Sequence, residues 1–189
     1  MAGGVGIQGN AYVAGNLVVG NVLIAPYTNI QSEYVNLPNS TTVACGTGSY
    51  TLCYSYNGTT WTGATVSPFT TSGNTVSYNG AIWVAGGTGG NTLAYSFNGV
   101  FWVGIGSYTF TTSTYDIEWN GNVYIATGQG GNTLAYSNSG TIWTGLGAGI
   151  FTTSAASVAW GGNMWVAAGN GTNSLAFSTV GTSNWIGLG

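Results

Sequence analysis

Lysine, arginine and histidine are absent from all 189 residues, and the only charged side chains are Glu33, Asp116 and Glu118. A net charge of -3 with 2% charged residues lies far below the usual quarter of a soluble chain. With no cation to neutralise phosphates or release counterions, binding to nucleic acid or to an anionic membrane surface is not expected. The same gap narrows the chemistry. General acid–base catalysis, activated nucleophiles and most metal sites draw on His, Lys, Cys or clustered carboxylates, so a non-enzyme without cofactor or metal is expected. Proteases that cleave after basic residues find no site, which suits life outside cells. Long apolar runs are missing too. The most apolar stretch, Asn16 to Tyr27, is interrupted by Gly20 and Asn21 and falls short of the roughly 18 residues a membrane span requires. No basic stretch precedes it, so it does not read as a signal peptide and no membrane insertion is expected.

What remains is apolar bulk, glycine and repetition. Hydrophobic residues make up 44% of the chain and aromatics 14%, enough to bury a core, so low charge here does not mean disorder. The stretch GGTGGNTLAYSFNGVFWVG (Gly86 to Gly104) returns almost intact as TGQGGNTLAYSNSGTIWTG (Thr127 to Gly145). Trp61, Trp102, Trp143 and Trp185 mark the repeat, spaced 41, 41 and 42 residues apart, and a fixed period of this length signals a repeat architecture.

Each unit contains four short β-rich segments bounded by Gly/Asn turns, and none shows helical periodicity. In the second unit these are Thr75 to Tyr78, Ala81 to Gly86, Thr92 to Phe97 and Val100 to Gly104. Asn79-Gly80, Thr88-Gly89-Gly90-Asn91 and Asn98-Gly99 separate them as hairpin turns. The third unit repeats the plan as DIEW, NVYIAT, TLAYSN and TIWTG, and the fourth as SVAW, NMWVAAG, SLAFS and SNWIGLG. The first diverges, with Tyr34 to Leu37 standing where its first strand belongs. Linkers with the common core FTTS, from Pro68, Thr109 and Ile150, return the chain from an outer strand to the next inner one. Four antiparallel strands in about 41 residues is the arithmetic of a propeller blade. The expected fold is therefore all-β, a β-propeller of four repeats over residues 33–189.

Residues 1–32 lie outside the period. Ile7, Ala11, Val13, Leu17, Val19 and Leu23 share one parity, so one face of an extended strand is apolar. This predicts an extended β arm that either pairs with other chains or packs against its own propeller.

The run Ser55 to Trp61 (SYNGTTW), with looser versions at Ser96 to Trp102 and Ser137 to Trp143, resembles the Asp-box repeat of sialidase-like propellers, with Asn or Ser in place of Asp. The rhythm WNG…NTLAYS…G-x-x-W is also similar to propeller repeats in proteins of large algal viruses, and the arm resembles the glycine-rich stalk repeats of viral fibres. Asp-boxes are structural turns, so the resemblance implies a fold and not an activity. Sialidase chemistry relies on an arginine cluster, and this chain has no arginine.

Several positions remain as candidate sites. Cys45 and Cys53 bracket a hairpin loop where other units carry small residues; they are either free buried thiols or a cross-strand disulfide, the latter favoured outside cells. As a metal site they lack further ligands. Asn39, Asn57 and Asn170 stand in N-x-S/T sequons, expected in exposed hairpin turns and open to N-glycosylation. Tyr78, Trp119 and Trp160 each precede a first-hairpin turn, with Asn79 and Asn120 following two of them. They either stack on sugar rings, as a repeated lectin site, or pack within the blade. The four period-marking tryptophans are expected to form a packing layer.

The function expected from these readings is that of a non-enzymatic structural protein, a subunit of an extracellular or virion-surface fibre or filament that self-associates through its N-terminal arm. The alternative is a glycan-binding propeller, a lectin or receptor-binding tip whose partners are cell-surface glycans.

Overall fold

The computed structural model describes residues 41–189. The arm residues Ile7, Ala11, Val13, Leu17, Val19 and Leu23, the sequon at Asn39 and the strand expected at Tyr34 to Leu37 lie outside the described residues.

The described residues form antiparallel β-structure without helix. The first unit contributes β1 (Thr42–Cys45), β2 (Leu52–Ser55) and β3 (Thr62–Gly63) as a three-stranded meander. The second contributes β4 (Phe69–Tyr78), β5 (Trp83–Gly90), β6 (Leu93–Ser96) and β7 (Val103–Gly106). The third contributes β8 (Ser113–Trp119), β9 (Tyr124–Gln129), β10 (Leu134–Ser137) and β11 (Thr144–Gly145), and the fourth β12 (Ser154–Trp160), β13 (Trp165–Asn170), β14 (Leu175–Ser178) and β15 (Ile186–Leu188). Within each unit neighbouring strands in sequence are neighbours in the sheet, as short Gly/Asn turns require.

The strands differ from the sequence expectation in two instructive ways. β5 runs on to Gly90, through much of the expected Thr88–Asn91 turn, because the FTTS linker before it becomes the start of β4 and supplies a partner: Phe69 pairs with Gly90 and Ser72 with Thr88. The extra residues are absorbed by irregularities at Phe69/Ser72 and Gly73/Thr75. At the other end of each unit the outer strand starts after the marker tryptophan rather than at it, so the tryptophans stand in the turns.

The first strands β4, β8 and β12 lie side by side, which makes them the inner edge of the array. Single bridges stitch unit to unit, Thr47 to Ser72 and Thr88 to Ser113. The core is divided between the units. Each of three clusters joins aliphatic residues of one unit to alanines and a tryptophan of the next, around a linker phenylalanine: Phe69, Phe110 or Phe151. All three phenylalanines are fully buried. Burying such a side chain is worth about 2–3 kcal/mol, so each linker is both a connection and a plug.

Candidate functional site

The recurring turn between the third and fourth strands is organised by its own side chains. In the first unit the Ser55 hydroxyl oxygen accepts from the amides of Gly58 (2.8 Å) and Asn57 (3.3 Å), and Asn57 Oδ1 accepts from the amides of Thr59 and Thr60 (3.0 and 2.8 Å). Ser96 and Asn98 repeat this with Gly99, Val100 and Phe101. Ser137 and Ser139 do so with Gly140, Thr141 and Ile142. The marker tryptophan then closes the turn. The indole N–H of Trp102 donates to Gly99 O at 3.1 Å, that of Trp143 to Gly140 O at 3.1 Å, and that of Trp185 to Gly181 O at 2.7 Å. The serine and asparagine oxygens satisfy backbone donors, and the indoles a backbone carbonyl, that a tight turn leaves without partners.

The tryptophan layer is not uniform. Trp102 is 8% exposed and belongs to a core cluster, whereas Trp61 in the first unit is 43% exposed. The expectation of a four-membered packing layer therefore holds for Trp102, Trp143 and Trp185 and is corrected at Trp61, which no described unit covers.

Beside these turns the outer edge carries shallow depressions. One of about 270 Å³ is lined by Tyr54, Ser55, Tyr56, Asn57, Thr60 and Thr62. The matching one in the third unit, about 210 Å³, is lined by Tyr136, Ser137, Asn138, Ser139, Ile142 and Thr144. Both are smaller than the roughly 300 Å³ of an ordinary small-molecule pocket. Tyr54 and Tyr56 meet edge to face at 5.4 Å, as do Tyr95 and Phe97 of the second unit at 5.7 Å.

The expected sugar-stacking residues lie elsewhere, at the first hairpins, and are half-buried. Tyr78 stacks on its cross-strand partner Trp83 at 4.4 Å and donates its hydroxyl to Gly80 O at 2.7 Å. Trp119 leans on Tyr124 at 4.5 Å and Trp160 on Trp165 at 5.1 Å, each again its register partner. Asn79 Oδ1 accepts from the amides of Ala81 and Ile82, and Asn120 Oδ1 from those of Asn122 and Val123. One ring face of each aromatic and one amide oxygen of each asparagine are thus committed inside the unit.

Asp116 and Glu118 lie on the inner strand β8. Asp116 Oδ1 accepts from its neighbour's amide, Ile117, at 2.9 Å and from Thr75 Oγ1 at 3.4 Å; its Oδ2 accepts from the amide of Val158 (3.0 Å) and the hydroxyl of Ser157 (2.9 Å). One carboxylate therefore ties three consecutive units together. Burial pushes the Glu118 carboxyl above the usual carboxylate range, and the charge of Asp116 adds to the effect. Asn74 performs a similar tie without charge, its amide donating to Ser113 Oγ and Thr114 O at 3.0 and 2.8 Å.

Cys45 and Cys53 are free thiols. Register pairs Cys45 with Leu52 and Ala44 with Cys53, and because alternate residues face opposite sides of a strand, the two sulfurs point to opposite faces of the hairpin. The disulfide alternative is thus corrected to free thiols. Burial pushes the Cys45 thiol up. Asn57 is exposed in its turn, as expected of a sequon; Asn170 is exposed but ends strand β13 rather than sitting in a turn. Among the described residues no cluster of three His, Cys, Asp or Glu side chains could hold a metal ion, and no helix is long and apolar enough to cross a membrane.

No family model matches the chain, and no curated protein matches it. Among solved structures it is similar to the crystal structure of the GH74 enzyme of Niastella koreensis, at 26% identity and a TM-score of 0.50, over 72% of this chain and 21% of that one. The chain spans about a fifth of the length of that enzyme. The likeness and the helix-free antiparallel units together define the class: an all-β, β-propeller-like protein.

Proposed function

We propose that this chain is a non-enzymatic structural protein whose four repeats over residues 33–189 are propeller blades, and that it self-associates into a fibre or filament through the extended arm of residues 1–32. The observation that carries the reading is the use made of the polar groups. The turn serines and asparagines, Asn74 and Asp116 hold the backbone or the next unit, so the residue types that ordinarily do chemistry serve here as fasteners. The likeness of the turn motif to Asp-boxes, and of the repeat rhythm to algal-virus propellers, supports the same reading. So does the apolar parity of Ile7, Ala11, Val13, Leu17, Val19 and Leu23. An extracellular or virion-surface location fits a chain without basic protease sites and with so little charge to hold copies apart.

Native mass by light scattering of the full chain, beside a variant carrying Val13→Asp, Leu17→Asp and Val19→Asp, tests this directly. A larger mass in the first than in the second is expected; equal masses would overturn the role of the arm.

A second reading, glycan binding, is favoured by the outer-edge depressions in which Tyr54 and Tyr56, or Tyr136, stand beside hydroxyl and amide groups. An aromatic face with flanking hydrogen-bond partners is the chemistry that receives a sugar ring. Binding on a glycan array that is lost in Tyr56→Ala would support it, and a blank array would remove it.

A further inference from the structure

Every junction between consecutive units repeats one pattern. The outgoing face supplies an aliphatic residue from the second strand and a leucine from the third, and the incoming face of the next unit supplies two alanines and a tryptophan. Val43 and Leu52 meet Ala85, Ala94 and Trp102. Val84 and Leu93 meet Ala126, Ala135 and Trp143. Ile125 and Leu134 meet Ala167, Ala176 and Trp185. Bulky aliphatic groups thus enter a hollow left by alanines, three times over.

Among the described residues one face of each kind is unmatched. On the fourth unit Val166 and Leu175 stand at the positions of Ile125 and Leu134, yet they are 41% and 46% exposed, while Ile125 is 0% and Leu134 1%. Ile186 and Leu188 of the same unit are exposed as well. On the first unit Ala44 and Cys53 hold the alanine positions and Trp61 the tryptophan position, and Trp61 is open to solvent.

We propose that the outgoing face of the fourth unit docks on the incoming face of the first unit of a second copy of this chain, so that copies join head to tail. This deepens the assembly reading by naming a contact separate from the arm. The three internal junctions say what covers such a face: Val166 and Leu175 fit an Ala44, Cys53 and Trp61 surface as Ile125 and Leu134 fit Ala167, Ala176 and Trp185. Two outgoing faces would not serve each other, because neither carries the alanine hollow. An interface between unlike faces closes into a ring when the rotation allows and otherwise extends as a filament. With almost no charge on the chain, association rests on apolar burial and is little affected by salt.

Sedimentation velocity of the full chain and of two variants tests the contact. Leu175→Asp blocks the outgoing face and Trp61→Asp the incoming one, both at exposed positions, and unchanged thermal midpoints show that each variant folds. The wild type is expected to gain mass with concentration. Each variant alone is expected to sediment with less mass than the wild type at the same concentration, and an equimolar mixture to regain part of that mass, since one intact face of each kind remains. A second readout needs no mutation: alkylation of Cys53 slows several-fold on concentrating the wild type, while that of Cys45, inside the first junction, does not change. A wild type that stays monomeric, variants that assemble as the wild type does, or a mixture that regains no mass over the separate variants would each overturn the proposal. Loss of assembly in the arm variant alone, with both end-face variants unaffected, sinks this contact and leaves the arm reading standing; the reverse pattern sinks the arm reading alone.

Discussion

Leu134 and Leu175 occupy the same place in consecutive units, within the same LAYS or LAFS strand, and differ almost completely in what surrounds them: one is 1% exposed, the other 46%. Each pairs in register with a small residue, Thr127 for the one and Ala168 for the other. What separates them is whether a described unit follows. In a repeat array each unit is stabilised mainly by its neighbour, so closely similar local sequence carries a core position where a described unit follows and an open surface where none does.

The strongest break in this comparison is expected at a plug. Phe110→Ala removes a fully buried ring from the second junction and is expected to cost about 3–5 kcal/mol in urea-induced unfolding. Leu134→Ala is expected to cost about 2–5 kcal/mol, against under about 0.5 kcal/mol for Leu175→Ala measured on the dissociated chain. Equal costs for the two leucines would mean that the fourth unit is covered within a single chain.

A turn glycine sharpens the comparison at the other end. Gly58 and Gly140 sit at matching positions with φ of 74° and 78°, so both resist a side chain by roughly 1–2 kcal/mol. A Cβ on Gly140 would also meet Val84 Cγ2 at 2.7 Å, whereas one on Gly58 meets nothing within 4 Å. Gly140→Ala is therefore expected to destabilise by about 1–3 kcal/mol more than Gly58→Ala. An equal pair would show that the units separate easily at their junctions.

The inner edge supplies the smaller effects. Asp116→Ala leaves the Val158 amide without its partner and is expected to cost about 1–3 kcal/mol. Glu118 provides the least. Its folded carboxyl is raised by burial and by the charge of Asp116, so its contribution is fully present below the ordinary carboxylate range and is lost as pH rises through the raised value. Glu118→Gln is therefore expected to melt about 1 °C above the wild type at neutral pH, a small effect because the half-buried carboxylate is still screened by solvent, with the gap gone at pH 3. A gap of the opposite sign would remove the desolvation account.

Much of this architecture is legible in the sequence. The 41-residue spacing of Trp61, Trp102 and Trp143, the alternation in TLAYS and the Asn-Gly turns located the strands to within a few residues, because turn chemistry and pleat act over a handful of neighbours. The sequence pattern puts the marker tryptophans on strands, whereas each stands one position before its strand, since a β-rich residue beside a turn reads alike on either side of the boundary. The extension of β5 into a glycine-rich turn was hidden because its partner, the linker, looked like loop.

The sequence alone determined the class of structure: short antiparallel strands, repeated units, turns with their own hydrogen-bond partners, and a chain nearly without charge. Tertiary structure decided which of those repeated positions are core. Val84 and Val166 cannot be told apart by their local pattern, since both precede an alanine in a second strand. Their burial depends on a unit about 41 residues further along, and only packing across that distance shows whether a hydrophobic face is covered or open.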